Sequence, residues 1–81
     1  MRVAVKLFAA GRELAGAAVL AVDLPESATV ADVRQALAAA CPALGPLAPR
    51  CLLAVNAQYA ADGAVVAPGD EVALIPPVSG G

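Results

Sequence analysis

The chain has 81 residues, 60% of them apolar and only 15% charged, with a formal charge of −2. One small domain is the limit at that length, and so apolar a composition excludes disorder driven by low hydrophobicity. The five basic residues, Arg2, Lys6, Arg12, Arg34 and Arg50, are scattered, whereas nucleic-acid binding needs them clustered on one face.

In chain order, Arg2 to Phe8 alternates, with Val3, Val5 and Leu7 on one face and Arg2, Ala4 and Lys6 on the other. Period two with β-branched residues predicts a strand. Ala18 to Leu24 repeats the pattern, with Leu20, Val22 and Leu24 inward and Asp23 outward. The stretch between, Ala9 to Ala17, carries Gly11 and Gly16 as break points and reads as a hairpin loop.

Pro25 ends the second strand, since proline cannot donate to a ladder. Thr29 is a good N-cap, and Asp32 three residues on favours the positive end of a helix. Val30, Val33, Leu37 and Ala40 then form an apolar stripe opposite Asp32, Arg34 and Gln35, which predicts one amphipathic helix over 30–40. Pro42 stops it. Gly45, Pro46 and Pro49 mark a loop before a third strand at Cys51 to Val55.

Asn56-Ala57 reads as a tight turn, returning into a short edge strand at Gln58 to Ala60. Asp62-Gly63 and Pro68-Gly69-Asp70 are further turns, and Glu71 to Ile75 is the last strand before Pro76-Pro77. The order β-β-α-β-(β)-β, with right-handed crossovers, places the last strand parallel to the first. The fold class expected is α+β, a β-grasp (ubiquitin-like) mixed sheet with one main helix across it. Residues 1–76 form the domain and 77–81 a flexible tail ending in Gly-Gly.

No Ser/His/Asp, Cys/His or glycine-rich phosphate motif is present, and there is no histidine. Cys41 and Cys51 lack the third and fourth ligands that a structural zinc needs, so no metal site is expected and both thiols read as structural. The carboxylates Glu13, Asp62, Asp70 and Glu71 read as turn formers or solvated strand edges. The longest apolar run, Leu14 to Val22, is about half of a membrane span. Lys6 interrupts any secretory h-region. The reading is a cytoplasmic protein that binds neither membrane nor nucleic acid.

The terminus is the unusual part: Pro76-Pro77-Val78-Ser79-Gly80-Gly81. Two prolines favour an extended exit from the sheet. Two glycines can pass a narrow channel and leave the last carbonyl open to attack. A frayed end is the plain alternative. Fully extended, five residues beyond Pro76 reach about 17 Å, enough to enter a neighbour's active site. Pro76, Pro77, Val78 and Phe8 are candidates for apolar contact with that partner, and Phe8 is equally a candidate core aromatic.

The segments Leu7-Phe8-Ala9, Arg12-Glu13-Leu14-Ala15-Gly16, Ala54-Val55-Asn56 and Gly69-Asp70-Glu71-Val72-Ala73, with the tail Pro76 to Gly81, resemble the small, sulfur-carrying subunits of molybdopterin synthase, a group within the ubiquitin-like sulfur carriers. The resemblance spans the whole chain. The alanine-rich helix and the Gly45–Arg50 loop differ most from a typical member. The resemblance implies that an ATP-using, ubiquitin-activating-enzyme-like adenylyltransferase adenylates the Gly81 carboxylate. A persulfide donor then leaves a thiocarboxylate, which donates sulfur to a cyclic pterin precursor to form the molybdopterin dithiolene. It also implies a heterotetramer of two small and two large subunits, with the catalytic residues on the large subunit and no cofactor bound here. Gly80, Ser79, Val78, Pro77 and Pro76 would then thread into the partner. Two competing readings are a carrier for thiamine, cysteine or tRNA thiolation, and a protein modifier joined through Gly81 to lysine. A plain interaction domain is a third.

Overall fold

The computed structural model describes residues 1–77. Five strands form one sheet in the order β2-β1-β5-β3-β4. They are β1 (Arg2–Leu7), β2 (Val19–Asp23), β3 (Leu52–Val55), β4 (Gln58–Ala60) and β5 (Val72–Ile75). β1 runs parallel to β5, pairing Val5 with Val72 and Leu7 with Leu74, while the β1–β2, β3–β4 and β3–β5 pairs are antiparallel. This is the mixed β-grasp sheet that the strand order implied.

Period two is what builds the core. Val3, Val5 and Leu7 of β1 are buried, as are Val22 of β2, Leu53 of β3 and Val72 and Leu74 of β5. The main helix packs across that face with Val30, Val33 and Leu37 fully buried. Its bounds, Val30–Ala40, are those the sequence predicts, because both ends are encoded locally. Thr29 and Asp32 form a reciprocal capping box: the Asp32 amide donates to Thr29 Oγ1 at 3.3 Å and the Thr29 amide donates to Asp32 Oδ2 at 2.8 Å.

Three local readings are corrected. Ala9–Ala15 is a short helix, α1, and not a hairpin loop; the main helix is therefore α2. Gly16 at φ 70° is its left-handed C-cap, with its amide donating to the Arg12 carbonyl at 2.9 Å. Gly11 is a buried position inside the helix, where glycine costs about 1 kcal/mol of helix propensity. Both glycines therefore look like loop breakers in the sequence. Ala40 is exposed, and the α2 stripe ends at Leu37, because the next turn of chain, Pro42–Leu44, takes over the cover with Leu44 fully buried.

The Gly45–Arg50 segment is not a plain loop. It holds a second 3-10 turn, Ala48–Arg50, with Ala48 buried. Arg34 of α2 fixes it. Its Nη1 donates to the Ala48 carbonyl at 2.7 Å and the Cys51 carbonyl at 2.5 Å, and its Nε pairs with Asp62 at 2.8 Å. Only 17% of the Arg34 side chain is exposed, so this residue is structural, though the pattern placed it on the solvated face.

Asn56 and Ala57 both have positive φ, 51° and 67°, the geometry that tightens the β3–β4 hairpin. Asn56 also locks this turn to the loop before β5. Its Nδ2 donates to Asp70 Oδ1 at 3.0 Å, and its Oδ1 accepts the Glu71 amide at 3.0 Å. Asp70 Oδ2 accepts the Ala67 amide at 2.8 Å. These bonds hold the Asp70 carboxyl below the ordinary aspartate value of 3.8, the Ala67 amide first and Asn56 second. A carboxylate held lower in the folded state contributes stability above its unfolded pKa and loses it as pH falls through the folded one. The protein is expected to lose stability below about pH 4. Asp70→Asn should lose less over that interval, as read by urea unfolding at pH 6 and pH 3. An equal loss in both proteins would exclude this latch as a source.

Candidate functional site

The face of the sheet opposite α2 is not covered by any described element. The pairing register lays one outward row straight across all five strands: Val19, Lys6, Ala73, Ala54 and Tyr59. A second outward pair, Ile75 and Leu52, lies beside it toward the end of β5. Phe8, at the N-cap of α1, stands at the rim. Small side chains on the central strands and larger ones around them make a shallow apolar groove, with Lys6 and Glu71 at one end and Phe8, Tyr59 and Ile75 as walls.

Exposed apolar side chains line this groove. Phe8 is 48% exposed, Leu52 52% and Tyr59 69%, and these include both aromatics of the chain. Aromatic residues are enriched where partners bury a surface. Of the two readings of Phe8, the structure gives the surface one. It leaves the sheet plane immediately after β1, because the chain turns there into α1.

The root of the tail is held firmly. β5 lies between β1 and β3, so the strand that carries the terminus is an interior strand. Pro76 is half-buried and its Cγ is 4.0 Å from the point a Cβ on Gly11 would occupy, which seats the exit against α1. Pro77 is exposed. The sequence-predicted residues Val78, Ser79, Gly80 and Gly81 lie outside the described residues. Of the predicted contact set, the structure therefore brings Phe8, Pro76 and Pro77 to the exit end of the sheet. Sequence reasoning missed Leu52, Ala54, Tyr59, Ala73 and Ile75. The signal was present in the outward positions of each strand, but only the sheet order shows that they share one surface.

Neither cysteine belongs to this surface. Cys51 is buried and donates to the Leu47 carbonyl at 3.3 Å. Burial pushes its thiol up, against an opposing pull from Arg34 and Arg50, which is the environment of an inert thiol. Cys41 is half-buried and free. Among the described residues, no three His, Cys, Asp or Glu side chains are grouped to hold a metal ion. Nor is any described helix long and apolar enough to cross a membrane.

The model of the ThiS family matches residues 5–81. The chain belongs to the ThiS family. Relatives of this ThiS-family chain include the molybdopterin synthase sulfur carrier subunit of Arabidopsis thaliana, 37% identical over all of this chain and 84% of that protein. The small archaeal modifier protein 1 of Haloferax volcanii is 44% identical over 94% of this chain and 97% of its own length. A crystal structure of SAMP1 from Haloferax volcanii superposes with a TM-score of 0.86 at 42% identity, covering 100% of both chains. The β-grasp expectation therefore rests on structural likeness as well as on strand order.

Proposed function

We propose that this chain is the sulfur-carrier subunit of molybdopterin synthase, acting in the cytoplasm as a carrier and not as a catalyst. The observation that carries the reading is the full-length match to a molybdopterin synthase sulfur carrier, on a chain whose sequence runs from an interior strand into Pro76 to Gly81. Residues 77–81 are the tether, and the open groove with Phe8, Pro76 and Pro77 is the docking surface for the large subunit in a heterotetramer of two small and two large chains. Ser79, Gly80 and Val78 thread toward the large subunit's site.

The chemistry follows from the poor electrophilicity of a carboxylate. An adenylyltransferase joins the Gly81 carboxylate to the α-phosphate of ATP, releasing pyrophosphate. The terminal sulfur of a persulfide donor attacks the acyl carbon and AMP leaves. A thiol then cleaves the S–S bond and frees the thiocarboxylate. Docked on the large subunit, that sulfur is delivered to a cyclic pterin precursor, and hydrolysis regenerates the carboxylate. Delivery by a short tether supplies rate through positioning. ATP is consumed by the activating enzyme, and no cofactor resides on this chain.

The likeness to a small archaeal modifier protein supports a second reading, in which the activated Gly81 is transferred to lysine. One experiment separates them. With ATP, the adenylyltransferase and a persulfide donor, intact mass should rise by the difference between one sulfur and one oxygen, localised to the C-terminal peptide, and the product should convert the pterin precursor when the large subunit is added. Sulfur mapping to Cys41 or Cys51 would overturn the carrier mechanism. Amide conjugates with no pterin conversion would favour the modifier.

A further inference from the structure

Lys6 is the single lysine of the chain, and the other four basic residues are arginines, which stay protonated and do not act as amine nucleophiles. Two primary amines are therefore present, Met1 N and Lys6 Nζ. The Met1 amine is part-buried and donates to the Leu24 carbonyl at 2.5 Å. The Lys6 side chain is 57% exposed and its only ionic neighbour among the described residues is Glu71 Oε1 at 4.0 Å. An exposed pair at that distance holds an ammonium weakly. Lys6 also stands in the outward row, beside Ala73, at one end of the open groove.

We propose that Lys6 is the acylation site of this chain: its amine takes the activated Gly81 carboxyl of a second copy, and the amide so formed closes the docking groove. The donor rests on the activated carboxyl of the proposed function. In the step, the unprotonated Lys6 Nζ attacks the acyl carbon of the Gly81 adenylate. A C–N bond forms, the C–O bond to phosphate breaks, AMP departs with the electron pair, and the amine loses one proton to water. No oxidant or reductant is needed. The acceptor carries an entire second domain on the surface it would dock with, so a carrier acylated at Lys6 is withdrawn from the synthase. A carrier already docked has Lys6 covered and is protected. Sulfur donor supply then decides the outcome, because without it the Lys6 amine competes only with water for the adenylate.

The acceptor assignment is tested without the activating enzyme. Full-length chain bearing a chemically installed aryl thioester on Gly81 is mixed with unmodified chain, and the products are mapped by mass spectrometry. The expected product is a dimer joined from Gly81 to Lys6, absent with Lys6→Arg acceptor. The purified conjugate should bind the large subunit at least about tenfold more weakly than free chain. A link at Met1, a dimer that persists with Lys6→Arg, or a conjugate that binds as tightly as free chain would overturn the proposal. Failure of free, unmodified chain to bind the large subunit would instead count against the proposed function, and the mapped acceptor would stand on its own.

Discussion

Deletion of Gly80 and Gly81 is expected to abolish sulfur transfer while moving the thermal midpoint by no more than about 2 °C. The second half follows from where the core stops. Among the described residues the buried one nearest the end is Leu74, and β5 closes at Ile75, so every described core contact survives the deletion. For a domain of this size a midpoint change of that order corresponds to well under 1 kcal/mol. The first half follows from the proposed chemistry, since truncation removes the Gly81 carboxyl at which activation is proposed. Two milder variants sharpen the test. One residue added after Gly81 moves the carboxyl by about 3.5 Å without altering the fold, and should block activation. Gly81→Ala keeps the length but introduces a Cβ, and should slow activation or transfer. Calorimetry of each variant with intact-mass measurement after activation checks both halves. A truncated chain that still acquired transferable sulfur would exclude Gly81 as the carrier.

How far the sequence exposed this depends on the range of each signal. α2 is encoded within a few residues: a capping box at Thr29 and Asp32, a stripe at Val30, Val33 and Leu37, and Pro42 beyond the end. Its bounds are correspondingly legible. β1 and β5 are legible as strands, and the crossover rule places them side by side. α1 is not, because its two glycines have opposite meanings in the fold, one buried within the helix and one capping it. Leu44 and Ala48 escape for a different reason. They lie among prolines and glycines that predict a loop, yet Arg34, fourteen residues before Ala48, supplies the donors that let this segment fold back over the core. A pairing across that distance leaves no periodic trace.

The candidate site divides along the same line. The tail and Phe8 can be picked from sequence because each is unusual in composition or place. The groove cannot, since Ala54, Ala73 and Ile75 look like any other strand residues until the order β2-β1-β5-β3-β4 puts them on one face. What recommends that face as the proposed docking surface is the combination of an apolar centre, exposed aromatics at its rim and an interior strand that leads to Pro76.

Ala73→Glu is therefore expected to weaken binding to the large subunit by about a hundredfold or more, with little loss of stability. Ala73 is on β5, directly opposite Lys6 on β1 and Ala54 on β3, and is half-buried in the free chain. A glutamate there points to the open side, where Lys6 is its cross-strand neighbour, and opposite charges in that relation are tolerated or mildly favourable. Under a docked partner the same carboxylate loses water at the centre of an apolar contact. Taking that carboxylate out of water costs several kcal/mol, which a single lysine neighbour repays only in part, and each 1.4 kcal/mol is about tenfold in affinity. Tyr59→Ala, at the edge of the same row, should cost less, about tenfold, as removal of a rim aromatic. The control belongs on the other side of the molecule. Arg34 is unsuitable, because its guanidinium holds the Ala48 and Cys51 carbonyls, and any change there disturbs the fold. Gln35 is exposed on α2, and Gln35→Glu should leave binding unchanged. Titration calorimetry of the three variants against the large subunit decides the matter: normal binding by Ala73→Glu, or equal weakening by Gln35→Glu, would move the docking surface off the open face of the sheet.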